Sequence, residues 1–130
     1  VPHTAVPILG AIRPSTGLID VTNRSKNPMV GKTLPLSHEL FDFAETIFDV
    51  LESRQVTLSK KGEDKGVRLS FEGFPYLIVW SKPEGDFVAV EPWGGLSTCS
   101  DEDDVLEHKR GCLVAKPKET VVRSFTIEIL

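Results

Sequence analysis

The sequence predicts an all-β, mainly antiparallel protein with one short helix, and three observations carry that expectation. Val56 and Leu58, then Val67, Leu69 and Phe71, alternate with polar residues, the period-two signature of a half-buried sheet. Residues 75–81 are apolar on both faces, as a central strand must be. A polar Pro/Gly turn then leads into a second run at 86–91. An antiparallel pattern of this kind packs by default as a sandwich.

Taken in order, residues 1–17 hold Pro2, Pro7, Pro14, Gly10 and Gly17 and read as a loop with one short strand at Val6–Leu9. Leu18–Thr22 reads as a short strand or a turn, and the polar stretch 23–32, with Asn27-Pro28, as a loop. Ser37 is a good N-cap for a short helix over His38–Phe43. Strands dominate from Arg54 onward. Lys60–Lys65, charged and holding Gly62, reads as a hairpin loop. Asp101–Arg110 is a charged excursion with a helical turn. Gly111–Ala115 and Thr120–Leu130 read as the last two strands, with Val121, Arg123, Phe125, Ile127 and Ile129 on one face. No repeat or linker divides the chain. The first third would bury little by itself, so a larger sandwich completed by something absent is expected.

With 130 residues the chain suffices for one domain with a real core. Its 40% hydrophobic and 26% charged content suits a soluble globular protein. A net charge of −4 without a basic block argues against nucleic acid as a partner. No apolar stretch approaches a membrane span. The start, Val1-Pro2-His3-Thr4, lacks an initiator Met and a signal-peptide pattern, which suggests a processed, cleaved or truncated chain. Two cysteines, Cys99 and Cys112, make neither a disulfide scaffold nor a four-ligand zinc site. Both are expected as reduced thiols, and a cytoplasmic setting follows.

Glu91 stands out among the polar residues. An apolar strand ends on this acid, between Val90 and Pro92, and burying a charge is costly unless it is paired or used. Pro92 cannot donate to a ladder, so pairing is expected to stop there and leave Glu91 at a strand end beside a concave site. The plainer alternative is a strand-end Glu reaching water or a Lys. Trp80 and Trp93 suit a sugar site, because aromatic faces match the apolar C–H faces of a pyranose. Core packing competes evenly for Trp80, while Trp93 is placed beside the site. Gly94-Gly95 suggests a sharp bend or a close approach. His3, His38 and His108 lack the spacing of a metal pair and read as surface residues. Asp101-Glu102-Asp103-Asp104 lacks the ligand spacing and central Gly of a calcium loop and reads as a solvated acidic loop. Asn23-Arg24-Ser25 fits a glycosylation acceptor, a match that arises readily by chance.

Gly73-Phe74-Pro75-Tyr76-Leu77, Trp80-Ser81-Lys82-Pro83 and Glu91-Pro92-Trp93 together resemble the C-terminal half of bacterial aldose 1-epimerases of the galactose mutarotase type. The likeness runs from Thr16-Gly17-Leu18-Ile19-Asp20 through Leu34–Phe41 to Ser124–Ile129. It implies that residues 1–130 are one C-terminal portion of a large twisted antiparallel sandwich. It also implies interconversion of α and β anomers of an aldohexose, with Glu91 as general base and no metal or nucleotide cofactor. The family's catalytic His, and the Arg and further His that hold the sugar, belong to an N-terminal half without counterpart here. The implied partners are therefore a monosaccharide substrate and that N-terminal half. The sequence departs from the family at Ile78, where a small residue is expected. It departs again at Phe43-Ala44-Glu45, where a sugar-binding Asp is expected, and that role passes to neither Asp42 nor Glu45. Two alternatives stay open: a non-catalytic carbohydrate-binding sandwich, and a structural β-domain pairing through an open edge.

Overall fold

The computed structural model describes residues 6–7, 17–42 and 45–130. Among these residues seven strands form two antiparallel sheets: β1 Val6–Pro7, β2 Thr46–Val50, β3 Gln55–Ser59, β4 Gly66–Ser70, β5 Tyr76–Trp80, β6 Ala89–Trp93 and β7 Thr126–Ile129. The first sheet has the order β1-β2-β5-β6 and the second β3-β4-β7. The expected all-β class with scant helix is what the chain adopts. Among the described residues no helix is long and apolar enough to cross a membrane.

β5 explains the layering. Leu77, Ile78 and Val79 are all buried, and alternate side chains of a strand point to opposite faces. Leu77 and Val79 join Phe48, Phe71, Leu69 and Phe41 in one core cluster, against which Val56, Val88 and Val90 also pack. These residues come from both sheets, so this cluster is the filling between them. Ile78 points the other way. With Ile47, Ile19, Leu96 and Cys99 it forms a second cluster, joined by Val21, Tyr76 and Trp93. Around Ile78 the outer face of the first sheet is thus covered by the loops through Ile19 and Cys99, which meet in a parallel bridge, while its Trp80 end stays open. Ile19 donates its N–H to Thr98 O at 2.9 Å, and Ser100 donates to Ile19 O at 2.8 Å.

Several expectations need correction. Thr46–Val50 was not foreseen as a strand, yet it lies between β1 and β5 and pairs Ile47 with Ile78. The expected helix is a 3-10 turn over His38–Phe41. Ser37 precedes it in extended backbone, as a cap does, but makes no side-chain cap bond. Phe43 and Ala44 lie outside the described residues, as do Ile8, Leu9 and His3. Gly111–Ala115 forms no strand: Gly111 adopts φ 71°, and Cys112 donates its N–H back to Lys109 O, so the segment opens as a turn. The last strand is shorter than expected, pairing with β4 only over Thr126–Ile129. Before it, Phe125 meets Phe74 edge-on at 6.4 Å, and Arg123 lies over the same ring at 5.8 Å.

The inner face of the second sheet is only partly covered. Val67 pairs with Ile129 and Leu69 with Ile127, yet Ile129 is 78% exposed and Ile127 58%. An apolar groove lined by Val56, Leu58, Val67, Leu69, Val90 and Ile127 runs between the sheets.

Candidate functional site

The β5–β6 hairpin builds the site. Its turn is held by Gly85 donating to Lys82 O and by the buried Ser81 hydroxyl donating to Phe87 O at 2.6 Å. The register sets Tyr76 opposite Trp93, Ile78 opposite Glu91 and Trp80 opposite Ala89. Paired residues share a face, so Tyr76, Trp80, Glu91 and Trp93 all stand on the outer face of the first sheet.

The three residues expected at a site come together there. Trp80 donates its indole Nε1–H to Glu91 Oε1 at 2.5 Å. Trp93 donates its own to Glu91 Oε2 at 2.9 Å. Trp93 packs on the Ile47–Ile78 cluster. Trp80 is 37% exposed and meets Phe87 edge-on at 5.6 Å. The even choice for Trp80 between core and site therefore falls on the open side. One detail corrects the expectation. Glu91 is the third residue of β6, not its end, because pairing continues through Pro92, opposite Leu77, to Trp93. β6 is an edge strand among the described residues, and an edge tolerates a proline whose missing N–H would face away from its neighbour.

Glu91 is half-buried. The apolar groove described above lies beside Val90, whose side chain points to the opposite face from Glu91, so this groove is not the concave site expected beside Glu91. Beyond Tyr76, Asp49 follows Ile47 by two residues on β2 and accepts Arg24 at 3.1 Å. Burial first, and then the Asp49 carboxylate, raise the Tyr76 phenol above its ordinary value, so it stays protonated. The sequence does not point to Asp49, and it offers Tyr76 only within the Gly73–Leu77 motif. Their signal was the unrecognised β2, whose Ile47 and Asp49 share a face.

The acidic run Asp101–Asp104 is not merely solvated. The Glu102 side chain is only 9% exposed. It accepts the backbone N–H of Cys99 at 2.9 Å and that of Arg110 at 3.0 Å, and pairs with Lys109 at 3.3 Å. Arg110 in turn binds Asp101 through two bonds of 2.6 Å. This knot closes the loop from Cys99 to Arg110 against the site's flank. The Gly94-Gly95 signal proves to be a close approach: a Cβ on Gly94 would collide with the Arg123 guanidinium. His38 and His108 are exposed, and His108 Nδ1 lies 2.7 Å from Asp103 Oδ2. Cys99 is buried, Cys112 is exposed, and both are free thiols. Among the described residues no three His, Cys, Asp or Glu side chains gather to hold a metal ion.

This architecture is the galactose mutarotase-like fold. A galactose mutarotase related enzyme from Lactobacillus acidophilus superposes with a TM-score of 0.78 at 28% identity, covering 98% of this chain and 43% of that one. The plasmid and chromosomal forms of protein LacX from Lactococcus lactis subsp. lactis are each 40% identical over 118 residues, 90% of this chain and 40% of theirs. The chain thus spans about two fifths of the length of these curated relatives. No family model matches it.

The Glu102 knot generates a pH prediction. Burial works to raise this carboxyl, but the Cys99 and Arg110 N–H groups and Lys109 more than offset it, leaving it below its ordinary 4.5. A carboxylate favoured in this way stabilises the fold above its unfolded value, and that stabilisation is lost as pH falls through the lower folded value. At pH 7, Glu102→Ala should cost about 1–3 kcal/mol, because buried donors lose their acceptor. Urea melts from pH 7 to 3 should show this cost shrinking below pH 4.5; a cost that grows on acidification contradicts the assignment.

Proposed function

We propose that the chain carries the base of an aldose 1-epimerase, acting on an aldohexose in a cytoplasmic setting. Glu91 is the base, and Trp80 and Trp93 line the sugar. The observation that carries this reading is the carboxylate gripped by two indoles on an open sheet face, within a fold shared with a galactose mutarotase related enzyme. Glu91 takes the proton of the anomeric hydroxyl while an acid delivers one to the ring oxygen, and the C1–O5 bond breaks. The resulting aldehyde turns about C1–C2, the ring oxygen closes on the opposite face of C1, and the protons return. This is general acid–base chemistry needing two groups on opposite sides of one sugar.

Neither His38 nor His108 belongs to the β5–β6 strand pair, both standing in the two 3-10 segments, and the acid is read as coming from outside this chain. That separation favours, as a second reading, a sandwich that binds carbohydrate without turning it over. Under the first reading the missing acid and sugar-holding groups lie in an N-terminal portion that packs on this one. The open groove and the exposed Ile127 and Ile129 support such a partner, because a contiguous apolar patch marks an interaction surface.

Two outcomes are expected. In the full chain, meaning this portion joined to the N-terminal one, Glu91→Gln should slow α/β anomer exchange by about two orders of magnitude or more, as loss of a general base does. Exchange measured by NMR at a near-normal rate in that variant contradicts the first reading. Ile129→Thr in the same full chain should cost about 2 kcal/mol in a urea melt if the face is covered. An effect within about 0.5 kcal/mol, as at an ordinary surface site, rules out the partner.

A further inference from the structure

We infer that Trp80 and Trp93 are positioning residues for the Glu91 carboxylate; the inference rests on reading Glu91 as the base and adds how that base is held. The indoles approach from different strands, Trp80 on β5 to Oε1 and Trp93 on β6 to Oε2. With Ile78 opposite Glu91, Trp80 lies two residues along one strand and Trp93 two along the other. The carboxylate is therefore bracketed from both sides by the sheet itself.

A glutamate side chain left alone spreads over many rotamers, and fixing it is entropically costly. An indole has only two torsions, and both rings are already packed, Trp93 on the Ile47–Ile78 cluster and Trp80 on Phe87. Donors with few torsions therefore hold an acceptor with more. The chemistry of the grip also suits a base. Indole N–H is a donor only, while an ionised carboxylate offers about four lone-pair sites. The two indoles occupy two of these and leave one on each oxygen for the anomeric O–H. Substrate can be engaged without either indole letting go. A sugar stacks on the face of an indole, whereas Glu91 is held by its edge. The two roles are separable, because phenylalanine keeps the face and lacks the N–H.

The test has two arms on the full chain. In 15N-tryptophan spectra, assigned through the single Trp→Phe variants, the Trp80 and Trp93 indole N–H signals should both move when Glu91 is replaced by Gln. Signals that stay in place overturn the grip, whatever the activity. In kinetics, Trp80→Phe and Trp93→Phe should each lower kcat about 10- to 100-fold, the scale of a misplaced catalytic group, with KM changed less than about threefold. Variants that keep kcat and raise KM overturn the positioning role and leave a stacking wall. If Glu91→Gln itself keeps full activity while the indole signals move, the grip stands but the base reading fails, and the catalytic role of both tryptophans fails with it.

Discussion

Antiparallel pairing of β5 with β6 sets Ile78 opposite Glu91, and the other features of the site depend on that register. A one-residue slip would turn every side chain of a strand to the other face. Glu91 would then enter the core between the sheets, and Val90 would face solvent. Burial of Leu77 and Val79 on one side and Ile78 on the other makes such a slip costly in both layers at once. The register is therefore specified by the core, and the carboxylate's place follows from it.

The flank of this face is fixed by polar bonds. Glu102 satisfies two backbone donors and a lysine, and so ties the loop that buries Cys99 against Ile78. Arg24 and Asp49 close the far end of the sheet face. The second sheet contrasts with this. Its inner face meets the first sheet at Val56 and Leu69 but leaves Ile127 and Ile129 open. One side of the molecule is thus finished around a carboxylate, while the other presents apolar surface of the kind that another layer covers.

Much of this was legible in the sequence where period two was clean. The β3–β4 hairpin and the doubly apolar β5 were readable from alternation and turn residues, whereas the grouping of Trp80, Glu91 and Trp93 rested on the family resemblance. β2 was not, because Thr46-Ile47-Phe48-Asp49-Val50 offers two adjacent apolar residues and follows a stretch with helical spacing. Its strand state is imposed by pairing with β5. Pro92 misled for a local reason, since a missing N–H ends a central strand but not an edge. The role of Glu102 was hidden among neighbouring acids of like appearance; only the loop's closure distinguishes it. That each indole donates to Glu91 followed from the register, which a single strand's sequence does not display.

The central claim is that the carboxylate held between Trp80 and Trp93 meets the anomeric centre of a sugar. A crystal structure of the full chain with a bound aldohexose tests it most directly. The account predicts the anomeric oxygen within about 2.6–3.2 Å of a Glu91 oxygen, the reach of a general base, with both indole bonds retained. A sugar bound elsewhere, or bound with its anomeric oxygen beyond the reach of Glu91, would contradict it.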